Sequence, residues 1–400
     1  MTVRIITTSA CDSDPRELGR KTAIELRGKA ENILVAGGIL FATAQTDVER
    51  FRESLAEAMP KIPFAGFTSC LGVGVDGKLL SGDGAVAGLW FAGDGVGFGA
   101  HSAPIGSAPE KTGRSLVDKA LSKAGLSPDE ADFAILLPTP GHEEAVLRGC
   151  YERFSEDTII VGGTAADNDL TGKWRVWSDD FSTGTGVALA VGHWPKRTAV
   201  SYRGGYLATE KKAVVTESSG RVIKKLDKRP AAEVYNEWMG GKLDKYLEHG
   251  GTVLGVSTLT PLGVVRGSFG GLDAYILVHP EKIIPEDRSL TTFAEVKEGE
   301  TVVLMHSTKK SLVGRGANVA QWAMNLQGFS KDELAGGLMM YCGGCVLAIQ
   351  DEMQEMLSKF GDKVSPAPWL AGFSFGEQGC VIPRKVDHGN LMNAVLLFEK

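Results

Sequence analysis

Short apolar runs and amphipathic stretches alternate along the chain in an order that recurs. In the first copy, an apolar run precedes a stretch whose apolar residues fall on one helical face, and two more apolar runs follow. That spacing predicts an amphipathic helix, and short apolar runs bounded by glycine predict buried strands. The first copy therefore predicts a strand, a helix and two strands. These segments are residues 33–35, 48–59, 62–67 and 85–91.

The same order occurs twice more. The second copy consists of residues 133–137, 146–154, 158–161 and 186–191. The third copy consists of residues 337–341, 349–360, 369–373 and 391–398. We therefore predict an α/β fold of the mixed α+β type, with layered sheets and flanking helices, built from repeated strand-helix-strand-strand units.

A turn of small residues ends the second strand of each predicted unit. Each turn contains a small residue or valine, then glycine, any residue, and threonine, or serine in the third copy. Glycine lets the backbone approach a neighbour closely, and the hydroxyl can bond a backbone group or a ligand. The repetition favours a structural origin and leaves room for one copy to bind a ligand. The turns are residues 65–69, 161–165 and 371–375.

A segment with a different pattern separates the second and third units. Apolar residues on both sides of the Ser-Ser-Gly at 218–220 predict a hairpin, and Pro230 predicts the start of a helix. We expect an N-terminal domain of two units at residues 1–197. A C-terminal domain at residues 198–400 then contains an insert, residues 198–308, and the third unit.

Size and charge narrow the function classes. The 400 residues exceed the roughly 250–300 at which a single core stops growing, so two compact units are expected. A net charge of -6 and a pI near 5.8 oppose binding to a polyanion, and we expect no nucleic-acid partner.

Targeting signals and cysteine usage point to one compartment. The N-terminus lacks the charged and then apolar regions of a signal peptide, and no apolar run approaches the ~18 residues of a spanning helix. We therefore expect a cytoplasmic protein without membrane insertion. Six cysteines are few for this length, which predicts reduced thiols.

Two motifs suggest enzymes but lack the required context. The G-x-G-x-x-G pattern at residues 72–77 is followed by a turn and a strand, whereas dinucleotide binding needs a helix there, so we predict a hairpin. The G-x-S-x-G at 372–376 resembles a nucleophile elbow around Ser374, but Pro383 and helix-poor residues follow it. We expect no self-contained catalytic motif, and hence no enzyme, with an unrecognised hydrolase as an alternative.

The Cys342-Gly-Gly-Cys345 motif carries the most chemical information. It is predicted to end a strand and open a helix, where the helix N-terminus lowers a thiol pKa. The motif is compatible with a ligand cradle, an inert turn, a redox dithiol enzyme or half of a metal site. A zinc site would need distant ligands, because the chain has no second C-x-x-C.

Histidines leave haem open as a cofactor. The seven histidines show no pair at metal-ligand spacing, but a single axial ligand can hold a haem iron. The candidates are His142, His193, His279 and His388.

Six short motifs in order resemble the two halves of the FIST family. Two resemble the signature stretches of FIST N, and four resemble FIST C; together they span nearly the whole chain. The FIST N motifs are residues 65–69 and 161–168. The FIST C motifs are residues 221–235, 341–345, 373–379 and 388–390.

The resemblance implies an intracellular sensory module that binds small molecules such as amino acids. Some relatives are linked to haem and nitric oxide sensing, which keeps a haem-based gas sensor as an alternative. Relatives also occur fused to kinase, chemotaxis or cyclic-dinucleotide domains. We see no output domain in this chain, so we expect a separate partner such as a histidine kinase or a chemotaxis component. Cys345 stands where FIST C often has arginine, which puts an anionic-ligand contact there in doubt.

We predict a ligand pocket lined by the turns of the third unit and the Cys342 loop. Glu377 would face the ammonium group of an amino acid, and the helix after Cys342 would face its carboxylate. The turn at 162–168 is the alternative location. The predicted ligand-binding residues are Cys342, Gly343, Gly344, Cys345, Phe373, Ser374, Glu377, His388 and Asn390.

Overall fold

The computed structural model describes residues 2–269 and 272–400. The first unit consists of a four-stranded sheet, two helices and a hairpin. Aspartates cap both helices: Asp14 accepts from the backbone N–H of Arg16, and Asp47 from that of Arg50. The elements are β1 (Val3–Cys11), α1 (Pro15–Ala30), β2 (Val35–Thr43), α2 (Val48–Ala58), β3 (Phe64–Ser69), β4 (Val73–Val75), β5 (Lys78–Leu80) and β6 (Ala85–Gly93).

The second unit repeats this order of elements. The two strands at residues 133–138 and 186–193 are buried over nearly their whole length, as expected for strands that are covered on both faces. The elements are β7 (Gly97–Pro104), α3 (Pro109–Ala124), a 3₁₀ turn (Pro128–Glu130), β8 (Phe133–Pro138), α4 (Glu143–Tyr151), β9 (Ile159–Gly163), β10 (Val176–Ser178), β11 (Ser182–Thr183) and β12 (Gly186–His193).

The third unit begins with β13 (Thr198–Arg203), and the insert follows immediately. The insert elements are β14 (Leu207–Ser219), β15 (Val222–Leu226), β16 (Arg229–Pro230), α5 (Ala231–Trp238), α6 (Asp244–His249), β17 (Gly251–Thr252), α7 (Leu254–Ser257), β18 (Leu262–Phe269), β19 (Leu272–Val278), β20 (Pro280–Ile284), β21 (Ser289–Thr292) and β22 (Thr301–His306).

The third unit then resumes. Thr308 caps its long helix by accepting from the N–H of Ser311. The elements are α8 (Lys309–Gln327), a 3₁₀ turn (Lys331–Glu333), β23 (Leu334–Cys342), α9 (Gly343–Ala348), a 3₁₀ turn (Gln350–Glu352), α10 (Met353–Val364), β24 (Trp369–Ser374), β25 (Glu377–Ile382), β26 (Lys385–Gly389) and β27 (Asn393–Glu399).

The three units exchange hairpins in a ring. The sheets have the orders β1-β6-β2-β3-β10-β11, β7-β12-β8-β9-β25-β26 and β13-β27-β23-β24-β4-β5. The first four strands of each sheet come from one unit, and the last two are the hairpin of another. In each unit the two strands joined by the second helix are parallel, namely β2 with β3, β8 with β9 and β23 with β24. The units therefore form one body with approximate threefold symmetry.

One phenylalanine from each unit meets at the centre of this body. The rings of Phe91, Phe133 and Phe398 lie 5.1 to 5.3 Å apart, on β6, β8 and β27. All three are buried within a core that spans the three units. Aromatic pairs at this separation add to the energy of apolar burial.

The insert has its own sheet and its own core. Its strands pair in the order β17-β20-β21-β15-β14-β22-β18-β19, and its core includes Val215, Ile223, Tyr235 and Leu290. The insert separates β13 from α8, whereas the corresponding strands β1 and β7 lead directly into α1 and α3.

The structure confirms the predicted fold class and extends the repeat. Each unit contains the predicted strand-helix-strand-strand order, preceded by one more strand and helix. The hairpins at residues 72–77 and 218–220 are confirmed by the pairing of β4 with β5 and of β14 with β15. The domain division at residues 197 and 198 stays a prediction. Within the described ranges, we find no helix long and apolar enough to cross a membrane.

Candidate functional site

The three small-residue turns contact one another where the three units meet. The Cys70 N–H donates to the Phe373 carbonyl at 3.0 Å, and the Ala166 N–H donates to the Thr68 carbonyl at 2.7 Å. The Thr164 N–H closes the ring by donating to the Gly376 carbonyl at 2.7 Å. These contacts give the repeated turns a structural role.

The repeated glycine of these turns allows close approach of neighbouring strands. A Cβ atom on Gly66 would lie 2.2 Å from the Leu40 carbonyl oxygen, and one on Gly162 would lie 2.2 Å from that of Leu136. Neither contact is sterically allowed, so the glycines are required by packing.

A cavity of about 400 Å³ lies where the insert meets the third unit. Its size falls within the range of small-molecule sites, and most of its walls are apolar. One residue comes from the second unit, six from the insert and seven from the third unit. The lining residues are Leu170, Leu254, Gly255, Thr258, Leu259, His279, Phe293, Lys309, Cys342, Gly344, Leu347, Ala348, Phe375 and Asn390.

Three neutral polar groups stand at the cavity wall. The Asn390 amide makes two long hydrogen bonds: it accepts from the His279 backbone N–H and donates to the Phe375 carbonyl, each at 3.4 Å. The ring of His279 lies 3.3 Å from the Thr258 hydroxyl. Because these bonds are long, the Asn390 amide retains capacity for a ligand.

The charge at the cavity wall is positive. Lys309, the first residue of α8, is exposed at the rim. Among the residues of 2–269 and 272–400 that line the cavity, none is a carboxylate. Burial lowers the pKa of His279 to about 4, so this imidazole is neutral at neutral pH.

The predicted strand-to-helix position of the cysteine loop is confirmed. Cys342 ends β23 and caps α9, while Cys345 lies fully buried behind it. Burial raises the pKa of Cys342 well above 9.0, and the hydrogen bond to Cys345 adds a smaller effect in the same direction. Together these two effects outweigh the lowering of the pKa that was expected from the helix N-terminus. Burial also opposes ionisation of Cys345, but the Cys342 hydrogen bond and the Arg315 charge lower its pKa to about 6.

Ser374 and Glu377 form a buried pair outside the cavity. The Ser374 hydroxyl donates to Glu377 Oε1 at 2.7 Å, and the Met392 N–H donates to Oε2 at 2.9 Å. Burial raises the pKa of Glu377 well above 4.5, which favours the uncharged acid. The turn after Ser374 runs into β25 and not into a helix, so no nucleophile elbow forms.

His388 belongs to a charged cluster that joins the insert to the body. Its Nδ1 lies 2.9 Å from the Gln378 amide, and its Nε2 lies 3.9 Å from Glu143. Glu143, Glu144 and His388 have the spacing of metal ligands. Arg221 already bonds both carboxylates, at 2.7 and 2.6 Å, and supplies the positive charge there.

The structure brings together only part of the predicted site. Cys342, Gly344 and Asn390 line the cavity. The other predicted residues, Gly343, Cys345, Phe373, Ser374, Glu377 and His388, lie outside its lining, so their binding role stays a prediction.

Sequence reasoning missed most of the insert's contribution to the cavity. Thr258 and Phe293 belong to no motif, and they reach the Cys342 loop only through the packing of the insert. Lys309, the first residue of α8, belongs to no motif either. His279 was singled out only as a haem candidate. The haem candidate His142 is exposed, and His193 pairs with Asp132 at 2.8 Å.

Comparisons with known proteins identify the two halves of the chain. The family model described as the FIST N domain matches residues 37–229, and the one described as the FIST C domain matches residues 231–380. No curated protein matches the chain.

Two solved structures of cyanuric acid hydrolases resemble the whole chain weakly. One, from A. caulinodans, is 8% identical with a TM-score of 0.40, and 100% of each chain is covered. The other, described as an evolutionary innovation by structural concatenation, is 9% identical with a TM-score of 0.39 and the same coverage. Likeness at this level carries no argument about activity.

Proposed function

Since the chain belongs to the FIST family of sensory domains, which bind small ligands, we propose that it senses a small amino-acid-like molecule. The observation that carries this proposal is the cavity at the junction of the insert and the third unit. An apolar cavity with a few convergent polar groups is the usual anatomy of a small-molecule site.

The charges at the cavity wall suggest how such a ligand is oriented. The Lys309 ammonium attracts a carboxylate at the rim. The Asn390 Oδ1 and the Thr258 hydroxyl accept hydrogen bonds from an ammonium group deeper in the cavity. An apolar side chain then packs against Leu254 and Phe293. Because no carboxylate lines the described cavity, the ligand's negative group contributes more to binding than its positive group.

The position of the cavity couples ligand binding to the arrangement of the insert. A ligand there contacts both the insert and the third unit, so it stabilises one relative arrangement of the two. We propose that a separate signalling protein, such as a histidine kinase or a chemotaxis component, reads this change.

Titration calorimetry with the amino acids that bind tests the role of Lys309. We expect Lys309→Met to weaken binding about tenfold, which corresponds to about 1.4 kcal/mol for one charge-assisted contact. The adjacent Lys310, which is also exposed but does not line the cavity, provides the matched control Lys310→Met. Equal affinity of the two variants would remove Lys309 from the site.

A haem-based gas sensor is the second candidate, because His279 is the predicted haem ligand that lines the cavity. Its imidazole is neutral, as an iron ligand must be. The ring already contacts the Thr258 hydroxyl, which it would have to release to hold iron. A Soret band that appears on adding haem and is lost in His279→Leu would favour this candidate over the amino acid.

A further inference from the structure

A buried cation lies beside the Cys342 loop and forms no ion pair with a carboxylate among the described residues. The Arg315 side chain, on α8, is fully buried and stacks on Tyr341 with its guanidinium carbon 4.3 Å from the ring centre. Its Nη1 donates to the Gly204 and Leu391 carbonyls, at 3.0 and 2.7 Å. Within the described chain, Nε and Nη2 have no hydrogen-bond partner. A buried charge is stable only when an opposite charge compensates it.

Cys345 is the group that supplies this compensating charge. The largest favourable electrostatic interaction of the Arg315 guanidinium is with the Cys345 thiolate. Arg315 in turn lowers the pKa of Cys345. The Tyr206 hydroxyl lies 3.5 Å from the Cys345 sulfur and also donates to the Thr258 carbonyl at 2.8 Å. The position beside Arg315 therefore favours the thiolate of Cys345, which lies buried behind the cavity wall.

We propose that Cys342 and Cys345 form a redox-active dithiol that a hydroperoxide entering the cavity oxidises to an intramolecular disulfide. The two residues stand three positions apart at the first turn of α9, where side chains are neighbours. Cys342 faces the cavity and Cys345 lies behind it. Cys342 is thus the accessible sulfur, and Cys345 is the resolving sulfur. This activity does not depend on the identity of the sensed ligand.

The reaction balances with the hydroperoxide as the two-electron oxidant. The Cys342 thiol first passes its proton to the Cys345 thiolate. The Cys342 thiolate attacks the terminal oxygen of the peroxide, the O–O bond breaks, and the leaving alkoxide takes the proton from Cys345 to depart as an alcohol. The regenerated Cys345 thiolate then attacks the Cys342 sulfenic acid. The S–O bond breaks, and hydroxide leaves as water with a proton from solvent.

Peptide mass spectrometry after a hydrogen peroxide titration tests this proposal. The reduced full chain is treated with peroxide, alkylated and digested with trypsin, so that Cys342 and Cys345 fall on one peptide, residues 332–359. We expect this peptide to lose two hydrogens and both alkyl groups before Cys150 is modified, and dithiothreitol to reverse the change. Cys150 is the internal reference because it is fully buried on α4 and burial raises its pKa to about 12.

Arg315→Met tests the role of the buried cation. We expect it to slow disulfide formation at least about tenfold, because without the cation burial raises the pKa of Cys345 to its ordinary value or above and leaves little thiolate at neutral pH. Arg203→Met is the matched control, because Arg203 also stacks on an aromatic ring, at 5.0 Å from that of Trp322, and is exposed. Oxidation as fast in a folded Arg315→Met as in the control would overturn the assignment.

Cys345→Ser keeps the proposal testable if Arg315→Met does not fold. Cys345→Ser removes both the resolving sulfur and the group that takes the Cys342 proton, so oxidation should be slower and should stop at a Cys342 sulfenic acid, which dimedone traps at high peroxide concentration. Absence of this adduct, or a wild-type peptide that stays doubly alkylated while the exposed Cys11 is oxidised, would contradict the proposal.

Discussion

His279 illustrates how burial sets the chemistry of a single residue in this protein. The ring is almost completely buried between α7 and the Cys342 loop, and burial lowers its pKa from 6.5 to about 4. The folded state therefore holds fewer protons than the unfolded state between these two pH values. The stability that depends on neutral His279 is fully present above pH 6.5 and is lost as the pH falls toward 4.

Replacing His279 should make the protein less sensitive to acid. Between pH 6.5 and about 4, we expect the free energy of unfolding of the wild type to fall by about 3 kcal/mol more than that of His279→Gln. Urea unfolding across this range measures the difference. His249→Gln, whose side chain is 79% exposed, should follow the wild type. Parallel curves for the wild type and His279→Gln would show that the imidazole is not buried as described.

Sequence reasoning located the chemistry of single residues only where a motif marked it. The Cys342 motif and Asn390 were predicted from local pattern, and both lie at the cavity. Glu377, which was predicted to face an ammonium group, forms a buried pair with Ser374, and its binding role stays a prediction. That position follows from the pairing of β25 with β9 of another unit, which no local pattern encodes.

At the scale of the element, the small-residue turns connect strands of different units. Gly162 lies on β9, where β25 pairs with it, and a Cβ atom there would lie 2.4 Å from Gln378 Oε1 as well as close to the Leu136 carbonyl. Adding one carbon must therefore shift the backbone of β8 or β9 and displace the Gln378 side chain of the third unit.

Gly162→Ala should destabilise the protein by about 1–3 kcal/mol, the usual cost of overpacking. Gly28→Ala is the control, because a Cβ atom on Gly28 of α1 would meet no atom within 4 Å, and alanine favours a helix by about 0.5–1 kcal/mol. Thermal and urea unfolding of both variants should show shifts of opposite sign. A Gly162→Ala protein as stable as the wild type would contradict the close approach of these strands.

The elements themselves were largely predictable, and their partners were not. The hydrophobic spacing predicted the second half of each unit because those strands and helices are strongly patterned. Each unit begins with a strand and a helix, such as β1 and α1, which were not predicted to be part of the repeat. The reason is that the insert separates the corresponding β13 and α8 in the third unit. The ring of exchanged hairpins follows from contacts between segments far apart in the sequence.

At the scale of the whole molecule, the insert creates the site. The three-unit body has its own core, and the insert has another. The cavity lies between the two, with Leu254 and Phe293 of the insert facing Gly344 and Phe375 of the body. Sequence patterns predicted part of the third-unit wall, at Cys342, Gly344 and Asn390. They did not predict the insert wall, which meets these residues only through the packing of the insert.

The central claim is that this cavity holds the ligand. Thermal melting tests it, with and without amino acids, in the wild type and in a variant whose cavity is filled. A Cβ atom on Gly344 would lie 3.4 to 3.6 Å from Leu391, His279 and Cys342, so Gly344→Leu extends into the cavity without a backbone clash. Gly314→Leu, on α8 with no neighbour within 4 Å, is the matched control.

We expect at least one amino acid to raise the melting temperature of the wild type and of Gly314→Leu, but not that of Gly344→Leu. At a concentration about 100 times the Kd, the stabilisation should be about 2.7 kcal/mol. An amino acid that stabilises Gly344→Leu as much as the wild type would place the ligand elsewhere. A wild type that no amino acid stabilises would contradict the proposed ligand class.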